Sequence, residues 1–262
     1  MCETCGCSIP DHHHPAPADS HTVEVLEGLM SANDHAAAHN REHFNRAGVL
    51  VINLMSSPGS GKTQLLEATA QALAGHAGMA VIEGDLETEN DANRLRKQGI
   101  RAHQITTGSS CHLDAHQLHH ALHEFPLTEG DGQTDLLFIE NVGNLVCPAS
   151  FDLGQHLNVV LLSTTEGDDK PAKYPVMFRA ADLVVISKAD LLPFLDDFSV
   201  ERATQSLRQL GVETPTLSTA AGRTKDISDW IEWLQARLAE HGQHRIQSQV
   251  GHQERTTADE RG

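Results

Sequence analysis

One stretch of this chain leaves little freedom about its fold. VINLMSSPGSGKTQLLEA passes from an unbroken apolar strand through a loop of serines and glycines into a helix. The loop Ser56-Ser57-Pro58-Gly59-Ser60-Gly61-Lys62-Thr63 matches the phosphate-binding pattern except at its first position, where Ser56 stands in place of glycine. Its glycines let successive backbone N–H groups turn inward around phosphate oxygens, at a helix N-terminus whose dipole favours anions. In that arrangement Ser57, Gly59, Ser60 and Gly61 line the cradle, Lys62 bridges the terminal phosphates and the Thr63 hydroxyl holds Mg²⁺. The bland alternative is a glycine-rich turn with an incidental lysine, and the flanking strand and helix argue against it.

The rest of the chain keeps the same alternation. MAVIEGD, RAHQITT, TDLLFIENV, LNVVLLSTT and ADLVVISKAD read as strands, and TPTLST as a short one. NDANRLRKQG, HLDAHQLHHALHEF, VERATQSLRQLG and ISDWIEWLQARLAEHG read as helices. Apolar runs without alternation mean strands covered on both faces. The expected fold is therefore α/β, a mostly parallel sheet with helices on both sides. A helix is expected over 23–46, opening a nucleotide-binding domain that extends to residue 240. Residues 1–22 and 241–262 are polar without apolar period and are expected to be disordered tails.

Charge and cysteine usage narrow the function. A net charge of -17 argues against nucleic acid or an anionic membrane as partner, since either requires a basic face. No apolar run reaches the roughly twenty residues of a membrane span, and the N-terminus lacks the pattern of a secretory signal. The five cysteines are then expected in a reducing cytoplasm, as metal ligands or reactive thiols before disulfides.

Two acidic strand ends support a nucleotide site. Asp85 follows MAVIEG and Glu140 follows LLFI, and both strand ends fall beside the phosphate loop in a doubly wound sheet. Both are assigned to Mg²⁺ or to positioning the attacking water, with a helix cap as the alternative for Asp85. Lys62 and Asp85 are the candidate catalytic residues. The base is addressed by Ser187-Lys188-Ala189-Asp190, where GTPases usually carry Asn-Lys-x-Asp. Asp190 can accept from guanine N1–H and N2, a pattern adenine does not offer, so GTP is favoured over ATP. Ser187 lacks the amide of asparagine, which weakens guanine affinity. The loop of Ser218, Thr219 and Ala220 stands where GTPases place a backbone N–H on the guanine oxygen.

Taken in order, MCETCGC, VINLMSSPGSGKT, VIEGD, TTGSSCHLDA, FIENVGNLVCPASFDLG, EGDDKPAKYP and SKADLLP resemble the HypB family. These are GTPases of the SIMIBI type that insert nickel during [NiFe]-hydrogenase maturation. The resemblance covers roughly 34–238 and the first seven residues. It implies a nucleotide-dependent homodimer, a HypA-type nickel chaperone as partner and the hydrogenase large subunit as recipient. It also implies a metal site at Cys111, His112 and Cys147, whose thiolate and imidazole donors suit Ni²⁺ or Zn²⁺. Lys170 and Lys173 then fall on a dimer-interface loop, or are simply solvated.

Further ligands lie outside that domain core. Cys2, Cys5 and Cys7 form C-x-x-C-x-C, which can converge on one ion, with a disulfide as the alternative. His12, His13 and His14 follow as a weak nickel store. His116, His119 and His123 continue from His112 at helical spacing, a weak metal stripe or a solvated polar face. Three rivals remain: a urease accessory GTPase, a nickel or zinc storage protein with an inert nucleotide site, and a P-loop kinase. The C-x-x-C-G-C opening argues against the first. Turnover would exclude the second, and the third needs an acceptor pocket that the sequence does not display.

Overall fold

The computed structural model describes residues 20–85, 89–108, 110–128, 133–222 and 226–259, with backbone alone over 20–27 and 244–259. In chain order the elements are α1 (Ser20–Ala47), β1 (Leu50–Ser56), α2 (Lys62–Leu73), β2 (Met79–Asp85), α3 (Asn90–Lys97), β3 (Arg101–Thr106), α4 (Ala115–Glu124) and β4 (Leu136–Glu140). There follow β5 (Leu157–Ser163), α5 (Lys170–Lys173), α6 (Pro175–Arg179), β6 (Leu183–Ser187), α7 (Val200–Gln209), β7 (Thr216–Ser218) and α8 (Ser228–Asp259).

The seven strands form one sheet in the order β3-β2-β4-β1-β5-β6-β7, and every pairing is parallel. β1 is central and buried along its whole length. It sends Leu50, Ile52 and Leu54 into one layer with Phe138 and Trp230. Val51 points into the opposite layer with Phe44, Leu118 and Leu153. Burial on both faces is why these strands read as apolar runs. Because all strands run the same way, the loops following β1, β2, β3, β4 and β6 gather at one edge, where an open α/β sheet places its ligand.

Local chemistry sets the helix starts at that edge. Gly61 caps α2 with φ of 96°, a left-handed conformation that glycine adopts without a Cβ penalty. Asp114 caps α4 through a reciprocal pair: it accepts from Gln117 N at 2.8 Å, while the Gln117 side chain accepts from Asp114 N at 3.1 Å.

α8 continues past His241 to Asp259, into the stretch expected as a polar tail. The tail has few apolar residues and so no face to bury, but it carries no proline, and Gly242 and Gly251 each cost a helix only about 1 kcal/mol. Polarity there argues against packing, not against helix. Cys2, Cys5, Cys7, His12, His13 and His14 lie outside the described residues.

Candidate nucleotide and metal site

The phosphate loop joins β1 to α2 and is held by its unusual first residue. Ser56 is fully buried. Its hydroxyl donates to Ser57 O at 2.7 Å and accepts from Ser60 Oγ at 2.6 Å and Lys62 Nζ at 3.0 Å. A glycine offers none of these contacts, so Ser56 holds the loop and its lysine inward. Around the loop opens a cavity of about 520 Å³, lined also by Glu83, Asp85, Glu140, Asn141, Gly143 and Lys188.

The acidic side of this cavity is richer than the sequence indicates. β2 and β4 are neighbours, and their register sets Glu83 beside Glu140. Thr63 Oγ1 donates to Glu140 Oε1 at 2.9 Å. Burial pushes the Glu140 carboxyl up to about 7, against the opposing pull of Lys62 and Thr63. Burial, followed by the charge of Glu140, pushes Glu83 up to about 8. One oxygen of each, Glu83 Oε2 and Glu140 Oε2, is buried with no hydrogen-bond partner. Orphaned carboxylate oxygens beside a threonine hydroxyl fit a hard divalent cation such as Mg²⁺. Asp85 lines the same cavity. Sequence reading missed Glu83 because it stands inside a strand, and only the register reveals its neighbour.

A second pocket of about 210 Å³ adjoins the loop, lined by Gln64, Ser187, Lys188, Asp190, Thr219 and Gly222 among others. Asp190 and Thr219 line this one pocket, whereas Ser218 and Ala220 are not on the lining; Ala221 and Gly222 are. Ser187 faces the loop, donating to Ser60 O at 2.7 Å. Lys188 takes a left-handed φ of 58° and donates to Gly59 O at 2.7 Å. These two residues tie the end of β6 to the phosphate loop, so serine does structural work at this position even without the asparagine amide.

Cys111, His112 and Cys147 come together on the same edge, their ligand atoms all within 4.8 Å of one another. Cys111 and Cys147 sulfurs are 2.9 Å apart, and Cys111 Sγ lies 3.7 Å from His112 Nδ1. His112 stacks on Phe151, centroids 3.9 Å apart, and burial holds it below the usual histidine value, which keeps its nitrogen free to ligate. Two thiols and an imidazole, partly exposed, suit a borderline ion such as Ni²⁺ or Zn²⁺.

The two sites share backbone. The loop carrying Cys111 begins with Thr107 N donating to Asp85 O at 2.9 Å. It ends with Leu113 N donating to Asn141 Oδ1 at 3.2 Å. Asn141 is buried, also accepts from Val142 N at 2.9 Å, and donates to Asn53 Oδ1 at 3.2 Å. Next along the chain, a Cβ on Gly143 would stand 2.9 Å from Pro58 Cα, so this segment lies directly on the phosphate loop. Asn144 then donates to Cys111 O at 3.3 Å, and Cys147 follows. The segment from Glu140 to Cys147 thus touches the phosphate loop and both sides of the metal cluster.

Among the remaining candidates, His116 is exposed at the start of α4, and His119 and His123 lie against α1. Lys170 and Lys173 belong to the short helix α5, where Lys173 pairs with Asp169 and Lys170 stands 5.3 Å over the Tyr174 ring. Among the described residues no helix is long and apolar enough to cross a membrane.

Known proteins resemble this chain in sequence and fold. Residues 50–217 match the family described as CobW/HypB/UreG, nucleotide-binding domain. The hydrogenase maturation factor HypB of Rhizobium leguminosarum bv. viciae is 47% identical over 227 residues, covering 87% of this chain and 74% of that protein. The crystal structure of HypB from Helicobacter pylori in complex with nickel superposes with a TM-score of 0.74 at 44% identity, over 80% of this chain and 96% of that one. That of the hydrogenase maturation factor HypB from Archaeoglobus fulgidus gives 0.72 at 38% identity, over 79% and 99%.

Proposed function

Because the chain belongs to the HypB family of hydrogenase maturation GTPases, we propose that it carries nickel at Cys111, His112 and Cys147 and uses GTP to control that site. The observation that carries this reading is the segment from Glu140 to Cys147, which lies on Pro58 at one end and holds the Cys111 carbonyl at the other.

In this reading Ser57, Gly59, Ser60 and Gly61 cradle the phosphates, Lys62 neutralises their charge, and Thr63, Glu140 and Asp85 hold Mg²⁺. Mg²⁺ supplies charge neutralisation at the terminal phosphate, and Asp85 orients the attacking water. Asp190 selects guanine. A γ-phosphate beside Gly143 displaces the segment, and Cys147 moves with it relative to Cys111. Hydrolysis restores the first arrangement. Cys2, Cys5 and Cys7 capture the ion first, with His12, His13 and His14 as a store. Nucleotide-dependent pairing of two chains, a HypA-type chaperone and the hydrogenase large subunit as recipient complete the proposal, in the cytoplasm.

The test is equilibrium dialysis of nickel against the full chain and a form lacking residues 1–22, each with GDP or a non-hydrolysable GTP analogue. The truncated form is expected to bind nickel with different affinity in the two nucleotide states. Equal affinity in both would remove the coupling.

A further inference from the structure

The histidine stripe of α4 does not face open solvent alone. His119 packs edge-on against His39 of α1, ring centroids 5.7 Å apart. It also packs edge-on against His123 at 4.8 Å, with interplanar angle 90°. His39 and His43 repeat on α1 the i, i+4 spacing that His119 and His123 have on α4.

A buried amide sets the tautomer of His119. Asn40 is fully buried, and its Nδ2 donates to Ala115 O at 2.9 Å and to Leu153 O at 3.2 Å. Two carbonyl acceptors fix which end of the amide is nitrogen. Its oxygen, 3.1 Å from His119 Nδ1, must then receive that ring's N–H. His119 Nε2 is left as a bare lone pair, aimed 3.2 Å from His123 Nε2. An oriented imidazole, donating its far N–H to a fixed oxygen, is how proteins prepare a histidine for a metal. Two imidazole nitrogens bound to one tetrahedral ion at about 2.05 Å stand about 3.3 Å apart, close to the separation here.

We propose that His119 and His123 of α4, with His39 and His43 of α1, form a second metal site that takes a borderline divalent ion, Ni²⁺ or Zn²⁺. His119 and His123 chelate through Nε2, His123 by moving its proton to Nδ1. His39 turns in from the facing helix, and His43, one turn further on, completes the set. Burial and then the neighbouring imidazoles hold His119 below the ordinary histidine value, and burial, then Arg46, then the imidazoles of His123 and His39 do the same for His43, favouring the neutral form that ligates. None of its residues is shared with the cluster of Cys111, His112 and Cys147.

The test uses the full chain with Cys2, Cys5, Cys7, Cys111 and Cys147 all replaced by serine, so that no thiolate site remains. Nickel and zinc binding are measured by equilibrium dialysis, and the urea midpoint with and without metal. The expected result is that H119Q/H123Q loses one equivalent and H39Q weakens the same equivalent at least tenfold. H76Q, an exposed histidine on the opposite layer, changes neither. An ion held between α1 and α4 also raises the urea midpoint, an effect lost in H119Q/H123Q, whereas ions on residues 12–14 leave it unmoved. H39Q alters an exposed side chain and guards against misfolding of the double variant. Unchanged stoichiometry and midpoint shift in H119Q/H123Q, or equal losses in H76Q, would overturn the proposal.

Discussion

Replacing Asn141 by alanine tests the link between the two sites at its narrowest point. The side chain is 1% exposed and makes three hydrogen bonds, to Leu113 N, Val142 N and Asn53 Oδ1. Truncation leaves two backbone N–H groups without their acceptor and the oxygen of fully buried Asn53 without this donor. A buried polar group left unsatisfied costs about 1–3 kcal/mol. Leu113 N and Asn53 Oδ1 take that penalty, whereas Val142 lines the nucleotide cavity, where water can replace the lost oxygen. Two such penalties give an expected loss of ~2–6 kcal/mol, read as a shift of the urea midpoint at unchanged slope. The functional consequence is separate. With Leu113 released from the segment that carries Cys147, the ratio of nickel affinities in the GTP-analogue and GDP states should fall to within about twofold. In the parent chain that ratio should lie in the range of about 5–150 typical of linked sites. Asn144→Ala, which removes the exposed contact to Cys111 O, should reduce the same ratio at a smaller stability cost. A folded Asn141→Ala chain that keeps the full nucleotide effect on nickel would refute the reasoning.

Three further outcomes follow from single contacts. Asp190→Ala should cut the preference for GTP over ATP by on the order of 100-fold or more, measured by nucleotide competition, because the base pocket loses its carboxylate acceptor. Ser187→Ala breaks the bond to Ser60 O and should weaken GTP binding by about fivefold, corresponding to ~1 kcal/mol, with base selectivity intact. His156 is held at about 4 by burial first and then by His241 and Arg41, while its Nδ1 accepts from Val51 N at 3.0 Å. The folded state therefore binds fewer protons than the unfolded state between about pH 6.5 and 4. Its contribution, ~3 kcal/mol at most, is complete above that window and is lost as pH falls through it. His156→Gln should flatten this part of a urea-midpoint profile, and an unchanged profile would place the acid sensitivity elsewhere.

The parts of this molecule legible in its sequence are those fixed by local chemistry. Gly59, Gly61 and Lys62 declare a phosphate loop because a turn of that kind needs those residues at that spacing. The strands declare themselves by unbroken apolar runs. What could not be read depends on register and on helix pairing. Glu83 sits in an apolar strand and gains meaning only opposite Glu140, one strand over. Ser187 reads as a defective base contact, yet its hydroxyl is spent on the phosphate loop. Half of the histidine cluster was visible as a stripe on α4; the other half lies on α1, and only the packing of the two helices brings His39 to His119.

The geometry of the cysteine pair adds a reciprocal prediction. Two thiolates on a tetrahedral ion with bonds of about 2.3 Å stand about 3.8 Å apart. The sulfurs of Cys111 and Cys147 are at 2.9 Å, so an ion must spread them. Cys111 belongs to a loop clamped at Asp85 O and at Asn141, and Cys147 ends the segment that lies on Pro58. Spreading the pair therefore works against the same contacts that a γ-phosphate disturbs. Whatever displacement carries the coupling, linkage requires the two effects to be equal. Nickel must change the ratio of GTP-analogue to GDP affinity by the factor by which those nucleotides change nickel affinity. Titrating labelled nucleotides with and without nickel, on the form lacking residues 1–22, measures the first factor, and the dialysis experiment gives the second. Agreement within about twofold is expected. Because the equality is a thermodynamic necessity for one nickel site, a persistent mismatch would mean that the nickel counted in dialysis is not all at Cys111, His112 and Cys147. The histidines shared by α1 and α4 would be the first place to look for the remainder.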